Sequence, residues 1–320
     1  MTTTPVQDDA PLKAVLFENI EVGEQLGPIE IDVDEFLMRQ HEFTVEELPP
    51  TTTDGEGQIA QASILLGELL RLLNTRYDPH HDVGLHQREQ VWFHSPVRAG
   101  ERVRLTGTMV EKYERRDRGY FVIEAEARVV GSNRLICRHR PVEAILIGDP
   151  DKLGGGRGKG TAERRVEGHY PFDVPVVDTA SADVTIGSPL PVLERTVHQS
   201  QISVYSNVSA FWRTTHTDVH AARAAGLDST IAQGLMEACY ISDLASRFFG
   251  VAWHTTGHMD LAFLAPYYPG DSVKVLAVVS GVEEAAGGTR VELEVWVEDA
   301  ETGRKLTVGW VDAVVPEDVS

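Results

Sequence analysis

A histidine and a glycine in one stretch of the sequence are the residues best suited to chemistry. His216 stands just before a short helical run, 219–225, and Gly234 opens a longer run of helical periodicity that ends near Phe249. An imidazole titrates near neutral pH, so it can take up a proton and return it. The first turn of a helix leaves backbone N–H groups without helical partners, and glycine lets a ligand oxygen approach them. Together the two residues predict proton transfer beside an oxygen that gains negative charge.

Structural roles are the alternatives for both residues. His216 is also compatible with a hydrogen-bonded core histidine, and Gly234 with close packing of its helix against a sheet. Asp218 directly precedes the first helical run, where a carboxylate accepts backbone N–H bonds. We therefore interpret Asp218 as a helix cap and not as a catalytic group. His220 lies on the same helix and is expected to be exposed.

The negative net charge of the chain argues against two classes of binding partner. The 320 residues include 29 Lys and Arg against 49 Asp and Glu, which gives a formal net charge of −20. Nucleic acid and anionic membranes are held mainly by basic groups, so neither is an expected partner. An anionic substrate would have to be held by local arginines. The length suits two domains of ordinary size.

Cysteine usage and the N-terminal sequence indicate a soluble, cytoplasmic protein. The two cysteines, Cys137 and Cys239, are too few and too far apart for a disulfide scaffold or a zinc cluster. The first twenty residues lack the basic start and apolar core of a signal peptide. No run of about 18 apolar residues suggests a membrane span.

Three other motifs receive structural interpretations. His254, His258 and Asp260 resemble a metal cluster, but only His258 and Asp260 share one face of a predicted strand and a third ligand at a convincing spacing is missing, so no metal site is expected. The Gly-rich run 154–160 has no Ser or Thr after its lysine and is interpreted as a flexible linker, not a phosphate loop. Residues 115–118, Arg-Arg-Asp-Arg, are expected in a solvated hairpin turn; contact with the phosphate of a substrate carrier is the alternative.

The chain contains an internal repeat. The pattern F-x-x-P-x-x-x-G-[ED] occurs at Phe93 and again at Phe263, and Ile59-Ala-Gln61-Ala matches Ile231-Ala-Gln233-Gly at nearly the same offset. A third match, between alternating apolar runs that begin at 121 and 291, follows in the same order. Three ordered matches at nearly one offset predict two copies of one domain.

Each copy has the same predicted order of elements. A helix, 58–74 in the first copy and 234–249 in the second, is followed by strands of period-two patterning such as 103–106 and 273–276. This order favours an α+β fold in which an antiparallel sheet wraps a long central helix. We predict an N-terminal domain over 13–148, a linker over 149–187 and a C-terminal domain over 188–318.

These features resemble the hotdog fold, and more narrowly the MaoC-like family of (R)-specific enoyl-thioester hydratases and dehydratases in its tandem, double-hotdog form. In that family a segment S-G-D-x-N-P-[IL]-H-x-D-x-x-x-A-x-x-x-G is followed by I-A-H-G. The residues that fit are His216, Asp218, Ala222, Gly226, the run Ile231-Ala232-Gln233-Gly234, and downstream Phe263, Pro266, Gly270 and Asp271. The first copy, around Trp92 to Gly100, resembles the N-terminal hotdog of such proteins, which lacks the catalytic segment.

The resemblance implies an enzyme that hydrates a 2-enoyl thioester or dehydrates a 3-hydroxyacyl thioester. The first domain would form much of the acyl pocket, His216 would be the acid or base, and the Gly234 N–H would bind the thioester oxygen. No metal or redox cofactor is implied, and coenzyme A or the pantetheine of an acyl carrier protein would be part of the substrate. One chain holds two hotdogs, so a monomer and a homodimer are both compatible with it.

The N-terminal part of the motif, before His216, differs from the family pattern. The Gly-Asp pair is replaced by Ala210 and Phe211, and Asn-Pro by Arg213 and Thr214. In the family the missing aspartate positions and activates water together with the histidine. Polar residues that could orient water instead are Tyr205, Asn207, Ser209 and Thr214, although an amide or hydroxyl does not readily accept its proton. Arg213 would bind a substrate carboxylate or pair with an acidic neighbour.

Phe211 leaves two alternative functions open. The same pocket could run a one-base reaction, an isomerisation or a cyclisation, on a pathway-specific substrate. The chain could instead be a catalytically silent subunit that binds acyl thioesters in a hotdog hetero-oligomer. Turnover by the isolated chain separates the enzyme from the silent subunit.

Overall fold

The computed structural model describes residues 11–50, 57–79, 84–115, 118–145, 165–206 and 213–317. The N-terminal half contains two described helices, α1 (Glu35–Val45) and α2 (Leu66–Leu70), and the strands β1 (Lys13–Ala14), β2 (Gln25–Asp32), β3 (Tyr77–Asp78), β4 (Leu85–Phe93), β5 (Arg102–Arg115), β6 (Arg118–Val129) and β7 (Leu135–Ile145). In the C-terminal half the elements are β8 (Leu193–Thr196), α3 (Gln199–Tyr205), α4 (Val219–Ala224), α5 (Gly234–Phe249), α6 (Val251–Thr256), β9 (His258–Phe263), β10 (Ser272–Ala285), β11 (Gly288–Asp299) and β12 (Lys305–Pro316).

Ten of these strands form one antiparallel sheet that runs through both halves. Its order is β2-β5-β6-β7-β4-β9-β12-β11-β10-β8, so each half contributes five consecutive strands in the same internal arrangement. The predicted α+β class is confirmed. The strands alternate buried side chains with more accessible ones, for example in the first half of β5, which is the pattern of a sheet with one face on the core.

The two halves join where β4 pairs with β9. Gln90 lies directly opposite Asp260, and these two positions are separated by 170 residues, the offset of the sequence repeat. A local two-fold relationship between the repeats therefore passes through this pair. Arg88 binds the Asp260 carboxylate with two hydrogen bonds, of 2.8 and 2.6 Å, and Gln90 donates a third of 3.1 Å.

The central helix of the C-terminal half, α5, begins at Gly234 and ends at Phe249, as the sequence predicts. Most of its side chains are buried, and it packs against β10, β11, β12 and β4. Hydrophobic burial on nearly every face is what a helix surrounded by a sheet requires. The residue that follows the helix is Gly250, whose φ of 59° favours glycine.

The prediction of an equally long helix over 58–74 in the first copy is wrong. Residues 62–65 form turns, α2 spans only Leu66–Leu70, and a 3₁₀ segment continues to Thr75. Gln61 explains the late start, because its buried side chain donates to the carbonyls of Met38 and Glu47 and is anchored there. Tertiary hydrogen bonds thus override the helical periodicity at this end.

Part of the predicted linker lies along the C-terminal half. Residues 149–164, including the Gly-rich run, are outside the described residues. Residues 165–187 contain neither helix nor strand but make specific contacts: Tyr170 is buried and donates to the Leu190 carbonyl at 2.6 Å, and the Ala180 N–H donates to the Phe248 carbonyl at 2.8 Å. The domain bounds themselves stay predictions.

Two further features of the described residues are relevant to function. Cys137 and Cys239 are buried free thiols, and burial raises the pKa of each to about 12, so neither is a reactive thiolate. Within the described ranges, none of the helices has the length and apolar character needed to cross a membrane.

Candidate functional site

A cavity of about 380 Å³ lies between the two halves. His216 and Gly234 both line it, so the structure brings the two predicted residues together. The N-terminal half also lines the cavity, with Leu70, Leu73, His86, Phe121 and Glu143 among its residues. A mostly apolar cavity of this size with a few convergent polar groups is typical of a small-molecule site.

The ring orientation of His216 is fixed by one hydrogen bond. Its Nδ1 atom lies 2.9 Å from the carbonyl oxygen of Ile231. A carbonyl can only accept, so Nδ1 carries the hydrogen and Nε2 is the basic nitrogen of the neutral ring. This is the tautomer that a general base acting through Nε2 requires.

The backbone around His216 is also held by side chains. Gln199 donates from Nε2 to the His216 carbonyl at 2.9 Å and accepts from the hydroxyl of Thr230 at 2.6 Å. The His216 N–H donates to Oγ1 of Thr214 at 3.2 Å. The histidine therefore belongs to an ordered turn that precedes α4 and not to a loose loop.

Gly234 begins α5 at a point where a larger residue does not fit. A Cβ atom at this position would lie 2.9 to 3.1 Å from ring atoms of Phe263, closer than real side chains pack. The preceding Gln233 makes no side-chain cap to the helix and donates instead to Ser206. In the first turn the N–H of Met236 donates to the Gln233 carbonyl at 3.0 Å, and the Gln233 side chain caps none of the first-turn N–H groups.

Glu237 lies one turn further along α5 and also lines the cavity. The side chain is buried, and burial raises its pKa to about 8 despite a 2.8 Å hydrogen bond from the hydroxyl of Thr307 to Oε2. The carboxyl is therefore mostly neutral at pH 7. A neutral group there preserves the positive potential of the helix start. Sequence reasoning missed Glu237, although an acidic residue inside the apolar run 234–249 was a signal.

Four titratable side chains of the N-terminal half form a buried group that we call the His–Glu cluster: His86, Glu89, His139 and Glu143. His86 contacts both acids, with Nδ1 3.3 Å from Glu143 and Nε2 3.0 Å from Glu89. His139 lies 2.7 Å from the other oxygen of Glu89. His86 and Glu143 line the cavity, whereas Glu89 and His139 lie behind them.

The electrostatics of this cluster favour the protonated form of His86 and the carboxylate of Glu89. Burial works against the protonated form of His86, but Glu143 and Glu89 outweigh it and raise the pKa of His86 to about 9. Burial likewise disfavours the carboxylate of Glu89, yet His139 and His86 lower its pKa below the ordinary value. Sequence reasoning missed the cluster, because its members come from β4 and β7, which are distant in sequence. The signal was a titratable residue in step with apolar ones along each strand, Glu89 before Val91 in β4 and His139 after Cys137 in β7.

A comparison with known protein families identifies a domain in the C-terminal half. Residues 182–302 match the family model described as a MaoC like domain. The C-terminal half of the chain carries a MaoC-like domain. Among curated proteins, none matches the sequence.

Solved structures that resemble the chain cover both halves. A protein described as a MaoC-like dehydratase has a TM-score of 0.72 at 15% identity, over 94% of this chain and 100% of that one. A MaoC domain protein dehydratase from Chloroflexus aurantiacus J-10-fl has a TM-score of 0.70 at 11% identity, over 97% and 99%. A Mycobacterium tuberculosis protein described as a double hotdog has a TM-score of 0.65 at 13% identity, over 95% and 99%. The predicted double-hotdog fold is confirmed.

The other predicted residues of the MaoC-like domain fall into two groups. Tyr205 and Thr214 line the cavity, and burial raises the pKa of Tyr205 well above its usual value, so its hydroxyl stays protonated. Arg213 is largely exposed, with Nε 3.7 Å from the Asp218 carboxylate, away from the cavity lining. Asn207, Ser209 and Phe211 lie outside the described residues.

Asp218 stands at the N-terminus of α4. Its Oδ1 atom accepts from the backbone N–H groups of His220 and Ala221, at 2.7 and 3.1 Å. These two bonds, that of Ala221 first, lower the pKa of the Asp218 carboxyl. This is the geometry of a helix cap, and the side chain of His220 is exposed.

The remaining histidines of the MaoC-like domain have other partners. His258 pairs through Nδ1 with Asp312 at 3.0 Å, while Asp260 is engaged by Arg88. His254 is buried, and its burial lowers the pKa to about 4. In the part of the chain that the structure describes, no group of three or more His, Cys, Asp and Glu residues is arranged to hold a metal ion.

Proposed function

We propose that the chain is a hydro-lyase that adds water to a 2-enoyl thioester or removes it from a 3-hydroxyacyl thioester. The observation that carries the proposal is the convergence of His216 and Gly234 on one cavity between two hotdogs. The names MaoC-like dehydratase and MaoC domain protein dehydratase, given to proteins of the same fold, support the reaction class.

The start of α5 suits the thioester oxygen. In this reaction the carbonyl oxygen gains negative charge as an enolate forms, and a backbone N–H at a helix start stabilises that charge. Phe263 packs against the bare Cα of Gly234, so a side chain at this position would meet the Phe263 ring. Glu237, being mostly neutral at pH 7, adds little opposing charge.

His216 suits the proton transfer at C2. Its Nδ1–H is tied to the Ile231 carbonyl, which directs the basic Nε2 to the reacting proton. Ile231 belongs to the same short segment as Gly234, so base and oxyanion site are fixed relative to each other. Such positioning is worth orders of magnitude in rate.

The lining and the volume of the cavity are suited to an acyl group. Leucines and phenylalanines from both halves line the cavity, and its volume is in the range of small-molecule sites.

The proposed reaction needs no redox cofactor, because adding water to a C=C bond transfers no electrons to an acceptor. Coenzyme A or an acyl carrier protein would take part only as the carrier of the acyl group.

The test is loss of the enoyl-thioester absorbance after mixing the full-length protein with trans-2-enoyl-coenzyme A. We expect turnover by the wild type and a loss on the order of 10² to 10⁴ in kcat for His216→Ala. His220→Ala, an exposed histidine on the next helix, is the matched control and should keep the wild-type rate. Equal rates for wild type and His216→Ala would overturn the assignment. Binding without any turnover would favour the silent subunit.

A further inference from the structure

Two members of the His–Glu cluster line the same cavity as His216 and Gly234. His86 and Glu143 reach the cavity from β4 and β7, where they are direct cross-strand partners. The ring of His86 meets the ring of Phe263 edge-on, with centroids 4.7 Å apart, and Phe263 packs against Gly234. One aromatic ring thus separates the cluster from the helix start that would hold the thioester oxygen.

Close packing alone does not explain why titratable side chains are buried in this cluster. Glu89, His139 and Glu143 are buried and only 9% of the His86 side chain is exposed, although apolar side chains would fill the same space. Replacing such buried ionic groups with apolar ones is often neutral or stabilising. Buried acids and imidazoles that perturb one another beside a cavity are a common sign of a catalytic site.

The proposed reaction needs a second proton-transfer group beside His216. His216 serves C2, whereas water adds at or leaves from C3, the next carbon. Phe211 replaces the aspartate that the resemblance would place there. C2 and C3 are directly bonded to one another, so the second group must face the same cavity as His216, which Glu143 does.

We infer that Glu143, held by His86, is the second acid–base residue of the site; this inference rests on the proposed function. In hydration the water oxygen bonds to C3 while the water proton passes to the Glu143 carboxylate. The electrons of the C=C bond shift to form the enolate, and protonated His216 then gives its Nε2 proton to C2. In dehydration His216 takes the C2 proton, and the Glu143 carboxyl protonates the hydroxyl oxygen as the C3–O bond breaks.

His86 is the positioning residue of this pair. Its Nδ1 is 3.3 Å from Glu143, and its Nε2 is held by Glu89 and by the carbonyl of Arg88, both at 3.0 Å. Glu89 in turn contacts His139. The arrangement fixes the Glu143 carboxyl from behind and leaves the transfer of the proton to Glu143 itself.

Two measurements on the full-length protein separate this inference from the proposed function. The first is hydration of trans-2-enoyl-coenzyme A. The second is exchange of the C2 protons of a saturated acyl-coenzyme A in D₂O, which needs His216 and Gly234 but no group at C3. For Glu143→Gln we expect a loss on the order of 10² or more in hydration, with C2 exchange within a few-fold of wild type. His216→Ala should lose both.

Further variants test whether the loss of hydration is specific to the Glu143 carboxyl. Glu47→Gln is the matched control, because Glu47 is also a buried carboxyl 3.0 Å from a histidine, His41, but outside the cavity lining. It should keep both activities in the folded protein. If Glu143→Gln does not fold, Glu143→Asp keeps the charge but withdraws the carboxyl by one methylene, and hydration should fall while exchange persists. Hydration at the wild-type rate in either variant overturns the inference. A wild type that neither hydrates nor exchanges overturns the proposed function and the inference with it.

Discussion

The Nδ1 atom of His216 donates to the carbonyl oxygen of Ile231 at 2.9 Å, in the segment that leads directly into Gly234. The base and the helix start are therefore parts of one local structure. The carbonyl at 231 sets the tautomer of the imidazole, and the chain then continues into α5. A change on one side of this bond is expected to disturb the other.

Substitution of His216 by asparagine tests whether the ring is a base or only a hydrogen-bond donor. Asparagine can still donate from Nδ2 to the Ile231 carbonyl but has no basic nitrogen. We expect the free energy of unfolding to change by about 1 kcal/mol or less, and kcat for hydration to fall on the order of 10² to 10⁴. Urea unfolding and initial rates measure the two effects. An active His216→Asn enzyme would show that the ring serves structure alone.

Gly234→Ala tests the close approach at the start of α5. The added Cβ would meet the Phe263 ring at 2.9 Å, so the ring or the helix must shift. We expect kcat/KM to fall on the order of 10², because small displacements of a catalytic donor cost rates of that size. The double variant Gly234→Ala, Phe263→Leu makes space and should recover part of the activity. A single variant with wild-type kinetics would argue against an oxyanion site at this residue.

Asp218 is expected to contribute to stability and not to chemistry. Asp218→Ala removes the acceptor of two backbone N–H groups and should cost about 1 kcal/mol. Asp218→Asn keeps a capping oxygen and should restore most of that loss. Both variants should retain kcat within several-fold when folded. A large loss of kcat in Asp218→Asn at unchanged stability would place the carboxylate in the reaction.

Glu237 makes stability depend on pH in a defined direction. Its pKa in the folded protein is about 8, above the ordinary value near 4.5, so the stability it contributes is complete below about pH 4.5 and is lost as the pH rises toward 8. The steepest slope is about 1.4 kcal/mol per pH unit. Glu237→Gln removes this slope, and urea unfolding at pH 5, 6, 7 and 8 compares the two proteins. A stability difference between them that is constant over this range would contradict a buried neutral carboxyl.

Local features of the sequence predicted the parts of the fold and site that depend on neighbouring residues. Helix α5 was predicted at both ends because its apolar positions and its terminal residues lie in one segment. His216 and Gly234 were predicted to act together for the same reason, and the structure brings both to one cavity. The repeat predicted two like domains, and each half of the sheet has the same strand arrangement.

Tertiary contacts decided what the sequence did not predict. Helix α2 starts late because the side chain of Gln61 donates to the carbonyls of Met38 and Glu47. Helical periodicity does not relate these two residues to Gln61. The His–Glu cluster needs β4 and β7 side by side, and their pairing cannot be deduced from the spacing of His86 and Glu143. The raised pKa of Glu237 depends on its burial in the folded protein, which the sequence around it does not show.

The most direct test of the central claim is the fate of solvent oxygen. The full-length protein is incubated with trans-2-enoyl-coenzyme A in H₂¹⁸O, and the product is analysed by mass spectrometry alongside that of His216→Asn. We predict one ¹⁸O atom in a hydroxyl at C3 of an intact thioester, formed by the wild type and on the order of 10² to 10⁴ more slowly by the variant. A product without solvent oxygen, a label found only in a free carboxylate, or equal rates for the two proteins would contradict the account.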